Sequence, residues 1–275
     1  AFRKGTGWKR KKWVYTHRPF TYERRGTRIG AWGRDLVDRP PEASTKARVK
    51  VLGARKGPAF WSQLASAYFA LGDLHYARRH TDRKQKLGTP EGPDNRRWRQ
   101  RFPRAYEGLV LAESERYELS SDLLWSIMTV ESAYNAMAVS RVGARGLMQV
   151  MPRTGALVAD RMGMRNFGVS MLIEPEIAIA QGSWYFYQLS KKFNGQWPLA
   201  IASYNAGPHR VARWLSSKGH LDMDEFIEEM RYAEVRAYTR RVLGYISLYR
   251  RIYHRDANMK VGQIIDPEWQ DNINF

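Results

Sequence analysis

The stretch ESAYNAMAVSRVGARGLMQVMP, residues 131–152, sets one carboxylate at the end of an apolar run, breaks the chain at two glycines, and resumes with a second apolar run that stops at proline. Read with the residues before it, LLWSIMTVESAYN, it places Glu131 four residues after Ile127 and three after Met128. On a helix these share one face, so the carboxyl sits among side chains destined for the core. A carboxyl held there loses solvation of its charged form, its pKa rises, and it can remain protonated near neutral pH to give a proton to a leaving oxygen. The same spacing also fits a helix-end carboxylate tied to the next loop. Gly143 and Gly146 allow that loop to turn tightly or to approach a ligand closely, and Pro152 is suited to open the next helix.

Helical signals surround this stretch. Upstream, Tyr106, Leu109, Val110 and Ser114 share a face, and Ser120 or Ser121 with Asp122 can cap the helix that ends at Glu131. Downstream, helices are predicted over 153–162, 176–193, 198–204, 210–215, 224–230 and 235–253. The last has apolar residues at 235, 238, 242, 245, 246, 249 and 253, a helical stripe. Strand signals are nearly absent, so the fold class is all-α. The polar tail after Asp256 is expected to cross back over the domain.

Toward the N-terminus, Pro58 opens a helix carrying Trp61, Leu64, Tyr68 and Leu71, which Gly72 and Asp73 end. A shorter helix through Leu74, Tyr76 and Ala77 folds back on it, giving a hairpin like one unit of a tetratricopeptide-type repeat. One unit cannot bury its own face, so it must pack on a neighbour. The Gly-, Pro- and Arg-rich link over 86–101, closed by Phe102 and Pro103, is a candidate boundary. The expected organisation is a basic, largely irregular arm at 1–57, the hairpin and link at 58–101, a helical domain at 102–255 and a tail at 256–275.

The formal net charge of +19 is unevenly spread. Residues 1–104 hold 27 Lys and Arg against 8 Asp and Glu, and residues 105–275 hold 19 of each. The basicity is therefore separable from the chemistry downstream. Trp8, Trp13, Tyr15 and Trp32 interleave with the arm's basic clusters, as in single-strand nucleic-acid binders, but no nucleic-acid motif accompanies them. A solvated wrap, or contact with anionic envelope polymers or with an envelope protein, is the expectation preferred over nucleic acid. Cysteine is absent, and the six histidines show no metal-ligand spacing, so neither a metal nor another cofactor is expected. No apolar run is long enough to span a bilayer. The chain starts at Ala1 and not methionine, which fits a mature product or a piece of a longer protein whose targeting segment is not present.

Two distant motifs complete the site. ASYNAGPHRV offers Tyr204 and Asn205 at a helix end before a Gly-Pro turn, and AEVRAY offers Glu234 with Arg236 and Tyr238. Together with ESAYN at 131–135 and S-x-x-G-A-x-G-L-M-Q-x-M-P at 140–152, in this order, A-x-Y-N-A-G-P at 202–208 and E-x-R-x-Y at 234–238 resemble the soluble lytic transglycosylases. The lead-in FPRAY at 102–106 is similar too, and the resemblance covers roughly 102–255. It implies a lysozyme-like catalytic domain of glycoside hydrolase family 23 type, and a hairpin similar to the end of the superhelical region preceding that domain in larger members.

The resemblance further implies that Glu131 is the single catalytic acid. Ser140, Gln149 and Met151 would line the glycan groove, Tyr204 and Asn205 would form the wall nearest the reacting sugar, and Glu234 with Tyr238 would support the site from beneath. The implied reaction is cleavage of the β-1,4 bond between N-acetylmuramic acid and N-acetylglucosamine in peptidoglycan without water, leaving a 1,6-anhydromuramoyl end, in the periplasm or cell envelope of a bacterium. The chain departs from the pattern at 174–179, where EPEIAI replaces D-P-E-x-N-I, and at 230–232, where Met-Arg-Tyr replaces I-P-F. A goose-type lysozyme-like hydrolase would need a second carboxylate, with Glu174 and Asp160 as candidates. A non-catalytic cell-wall binder would have no use for Glu131.

Overall fold

A computed structural model of the chain describes residues 57–81, 87–90, 95–255, 262–266 and 268–269. The basic arm over 1–56 lies outside the described residues.

The described chain is helical throughout, with α1 (Pro58–Ala70), α2 (Leu74–Thr81), α3 (Asn95–Arg101), α4 (Glu107–Tyr117), α5 (Ser121–Glu131), α6 (Pro152–Arg161), a 3-10 turn (Val169–Ile173), α7 (Pro175–Lys192), α8 (Trp197–Ala206), α9 (Pro208–Lys218), α10 (Met223–Glu229) and α11 (Ala233–His254). Proline stands in the first turn of α1, α6, α7, α8 and α9. Its fixed φ suits a helix start, where its missing N–H would have no intrahelical partner. Among the described residues β-structure is limited to isolated bridges, Val139 with Arg145, Arg145 with Val150, and Asp222 with Ile264.

The helix α5 is the axis of the main core. Leu123, Leu124, Trp125, Ile127 and Met128 are all fully buried, and its polar row of Asp122, Ser126 and Thr129 is buried too, with the Ser126 and Thr129 hydroxyls bonded back to Asp122 O and Trp125 O. The stripe of α11 packs along it through Val242, Ile246 and Tyr249, and Phe186 and Leu189 of α7 close the same core. A second core joins Leu199 and Ala202 of α8, Val211 and Leu215 of α9, Phe226 of α10 and Val235 of α11. The described residues of the tail, 262–266 and 268–269, lie against this second core. Ile265 is buried in this second core, Gln263 O accepts from Met223 N at 2.7 Å, and Asp266 exchanges hydrogen bonds with Gln196 and accepts one from Asn194.

The α1–α2 hairpin has its own small core of Trp61, Leu64, Tyr68 and Ala77, with His80 stacked on Trp61 and Tyr68. It also docks on the helices downstream, since Leu74 packs against the main core and Arg78 Nη1 donates to Arg101 O at 2.7 Å. The reading of 86–101 as link needs correction. Its Gly and Pro residues cluster before Asp94, and the breaker-free run NRRWRQR forms α3. Gln100 of α3 is buried and bonds Ser66 Oγ, while Asn95 Nδ2 reaches Ile252 O, so α3 wedges between the hairpin and α11. Ser120 does occupy the residue before α5, but makes no side-chain cap bond.

Candidate active site

Glu131 is the last residue of α5, partly buried above Ile127 and Met128. Tyr238, one turn into α11 and 6% exposed, donates a hydrogen bond of 2.6 Å to Glu131 Oε1. Burial raises the pKa of Glu131 to about 7, and the bond from Tyr238 opposes part of that rise by favouring the charged form. Glu174 and Asp160 are both exposed, and neither is among the influences on Glu131.

Tyr204 comes from the end of α8. Its hydroxyl donates to Met148 O at 2.9 Å, and its ring leans on Tyr185 and Phe186. Burial, then the charge of Glu131, holds the Tyr204 hydroxyl well above its ordinary pKa, and the same two causes act in that order on Tyr238. Both tyrosines therefore stay protonated, Tyr238 donating to the Glu131 carboxyl and Tyr204 to Met148 O. The structure brings Glu131, Tyr238 and Tyr204 together from three helices, although Tyr204 lies more than 70 residues beyond Glu131 in sequence.

The loop between α5 and α6 forms the adjoining wall. Its small bridged ribbon is closed by Gly146 N to Ala138 O and by Ala144 N to Ser140 Oγ, both 2.9 Å. Ser140, expected in the groove lining, thus holds the turn of this ribbon. Gly146 has φ +76°, and a Cβ there would lie 1.8 Å from Leu172 O. Its lack of a side chain serves the close approach of the 3-10 turn, whereas Gly143, with φ +90° and open space around it, serves the turn alone. Gln149 adopts φ +47°, and its Nε2 donates to Gly146 O at 2.9 Å and to Ala138 O at 3.2 Å. Met151 is 40% exposed just before α6.

Asn205 is exposed beside Tyr204, and its side chain makes no hydrogen bond among the described residues. The expected Glu234–Tyr238 pair divides. Tyr238 meets Glu131, but Glu234 lies exposed in the first turn of α11 with no ion pair among the described residues. There its charge complements the N-terminal end of the helix dipole. At the second departure from the motif, Met230 is buried in place of the usual aliphatic residue, its carbonyl accepts from Arg236 Nη1, and Tyr232 packs edge-on against Trp214.

Sequence reasoning missed how the turn after Glu131 is held. Ala133 and Tyr134 both have left-handed backbone, φ +48° and +66°, and nothing in Ala-Tyr signals that conformation. Ser132 Oγ donates to Leu147 O at 2.9 Å, His75 Nδ1 lies 3.0 Å from Ala133 O, and the Tyr134 hydroxyl is buried against those of Thr129 and Tyr249. Among the described residues no group of three or more His, Asp or Glu could hold a metal ion, and no helix is long and apolar enough to cross a membrane.

Residues 108–227 match the family model for the transglycosylase SLT domain. The soluble lytic murein transglycosylase of Salmonella typhimurium is 35% identical over 173 residues, covering 62% of this chain and 26% of that protein. That of Escherichia coli is 35% identical over 153 residues, 55% of this chain and 24% of the relative. The chain thus spans about a quarter of the length of the curated relatives it matches. The crystal structure of the 70-kDa soluble lytic transglycosylase of Escherichia coli superposes with a TM-score of 0.66 at 28% identity, covering 80% of this chain and 33% of that one. An inactive mutant of lytic transglycosylase Slt from Pseudomonas aeruginosa gives 0.65 at 28%, covering 86% and 39%. The helical architecture is thus the lysozyme-like one of these neighbours.

Proposed function

We propose, given that this chain belongs to the lytic transglycosylase family through the SLT domain at residues 108–227, that it cleaves the β-1,4 bond between N-acetylmuramic acid and N-acetylglucosamine in peptidoglycan. The relatives named as murein transglycosylases support that substrate. The single observation that carries the chemistry is the lone carboxyl of Glu131, raised to about 7 by burial with no second carboxylate among the influences on it. Such a group is poised to give and to recover a proton near neutral pH. Glu131 protonates the glycosidic oxygen, and the substrate's own N-acetyl carbonyl steadies the positive charge forming at C1. The resulting carboxylate then takes the proton of the C6 hydroxyl, whose oxygen closes on C1 as a 1,6-anhydro ring. A hydrolytic pair of carboxylates flanking the bond, about 5 to 9.5 Å apart, is not required by this route.

Tyr238 holds Oε1, Tyr204 and the 138–151 ribbon form the wall, and Gln149, Met151 and Asn205 offer groups to the sugar. We read residues 102–255 as the catalytic unit, working in the cell envelope, with the basic residues of 1–57 held to anionic envelope polymers. Salt-sensitive binding to sacculi that is lost on deleting 1–57 supports the latter, and salt-independent binding overturns it. For the reaction itself, purified peptidoglycan is digested and the muropeptides are weighed. Ends lighter than reducing ends by one water are expected, and reducing ends would replace this reading with hydrolysis.

A further inference from the structure

The turn that carries the chain away from Glu131 is unusual in needing outside support. Ala133 and Tyr134 are consecutive non-glycine residues in the left-handed region, a conformation that persists only where surrounding contacts hold it. Two of those contacts come from the catalytic domain, the Ser132 bond to Leu147 O and the buried hydroxyl cluster of Tyr134, Thr129 and Tyr249. The third comes from the hairpin. His75 lies in the first turn of α2, whose start is fixed by Asp73 Oδ1 accepting from Tyr76 N, and its Nδ1 is 3.0 Å from Ala133 O. A carbonyl only accepts, so Nδ1 carries the proton and donates.

Around it, Leu74 packs into the main core, and Arg78, four residues on, sits over the Phe102 and Tyr245 rings and donates to Arg101 O. Residues 74, 75 and 78 thus form one face of α2 turned to the helices downstream, and His75 is the member of that face that reaches the turn after α5. The carbonyl that His75 grips is two residues from the acid, and small displacements of a reacting group are costly in rate.

We propose that His75 is a positioning residue for the catalytic acid, through which the hairpin before the SLT domain fixes the turn leaving Glu131. The proposal rests on the transglycosylase reading for its kinetic arm only. It assigns to the hairpin a part in the site beyond covering a core.

The test uses the full chain with His75→Ala, His75→Asn and His75→Gln. Asn places its amide nitrogen near the position of Nδ1, and Gln places it farther out. The expected result is that His75→Ala and His75→Gln lower kcat for anhydro-muropeptide release by about 10- to 100-fold with KM nearly unchanged, while His75→Asn stays near the parent. A loosened turn lets water reach Glu131, so its carboxyl, followed by carbon-13 NMR titration, should titrate lower in His75→Ala and His75→Gln than in the parent. The alkaline limb of the kcat profile should move down with it, a change that mere loss of folded protein would not produce.

Should His75→Ala fail to fold, the Asn and Gln variants decide, and equal behaviour of those two in rate and titration overturns the proposal. So does a folded His75→Ala with unaltered kcat and Glu131 titration. A parent that releases no anhydro ends would count against the transglycosylase reading, and the NMR titration would still judge His75.

Discussion

The Tyr238 hydroxyl donates to Glu131 Oε1 at 2.6 Å across the meeting of α11 and α5, and it is the one hydrogen bond through which another helix touches the acid among the described residues. The bond favours the charged carboxyl while burial disfavours it, and burial prevails. Removing the hydroxyl leaves burial unopposed. Tyr238→Phe is therefore expected to raise the Glu131 pKa further above about 7, moving the alkaline limb of the rate profile to higher pH, opposite to the shift expected for His75→Ala. Lost positioning should also reduce kcat about 10-fold. A pH–rate series on sacculi checks both, and a limb that moves to lower pH would show that Tyr238 does not stabilise the carboxylate.

The raised pKa has a cost in stability. Unfolded, Glu131 titrates near 4.5, and folded near 7. Below 4.5 both states hold the proton and the group is neutral to stability. As pH rises through the window to 7 the unfolded state releases its proton first, and the native state loses about 3 kcal/mol relative to its acidic value. Glu131→Gln cannot titrate and keeps an oxygen to accept from Tyr238. Its stability relative to the parent should therefore grow by about that amount between pH 4.5 and pH 8, in urea melts at the two pH values, while turnover falls by a factor on the order of 100 to 10,000.

The two glycines of the site loop should respond differently to a methyl group. At Gly146 a Cβ would lie 1.8 Å from Leu172 O, a backbone atom that cannot move aside without shifting the 3-10 turn. Gly146→Ala is expected to cost about 3 kcal/mol or more and to abolish activity. Gly143→Ala meets no atom within 4 Å and incurs only the left-handed strain, about 1 kcal/mol. Thermal denaturation of both variants gives the comparison.

The main helices were legible because their evidence is local. The α5 run is rich in apolar residues behind a serine cap candidate, the α11 stripe repeats at helical spacing, and prolines mark the starts of α6, α7, α8 and α9. Glu131 was legible as an acid against a core for the same reason. By contrast, α3 was hidden by the glycines and prolines before it, and composition gave no sign that Gln100 would be buried. The division between Tyr238 and Glu234 depends on which turn of α11 reaches α5, a tertiary fact. His75 could not be found from spacing, since its partner is a backbone carbonyl 58 residues away and any residue type supplies a carbonyl.

Ala133 offers a check on the strained turn that does not touch the hairpin. Replacing alanine by glycine inside a helix usually costs about 0.5 to 1 kcal/mol. At φ +48° the alanine itself is strained by about 1 kcal/mol, and glycine adopts the conformation freely. Glycine also enlarges the freedom of the unfolded chain, which offsets about 0.4 to 1 kcal/mol of that gain. Ala133→Gly should therefore be neutral to slightly stabilising in urea denaturation, where Ala202→Gly inside the buried α8 is destabilising. A loss at Ala133 as large as that at Ala202 would show that the turn is not held against its own backbone preference. The His75, Ser132 and Tyr134 contacts would then be ordinary packing.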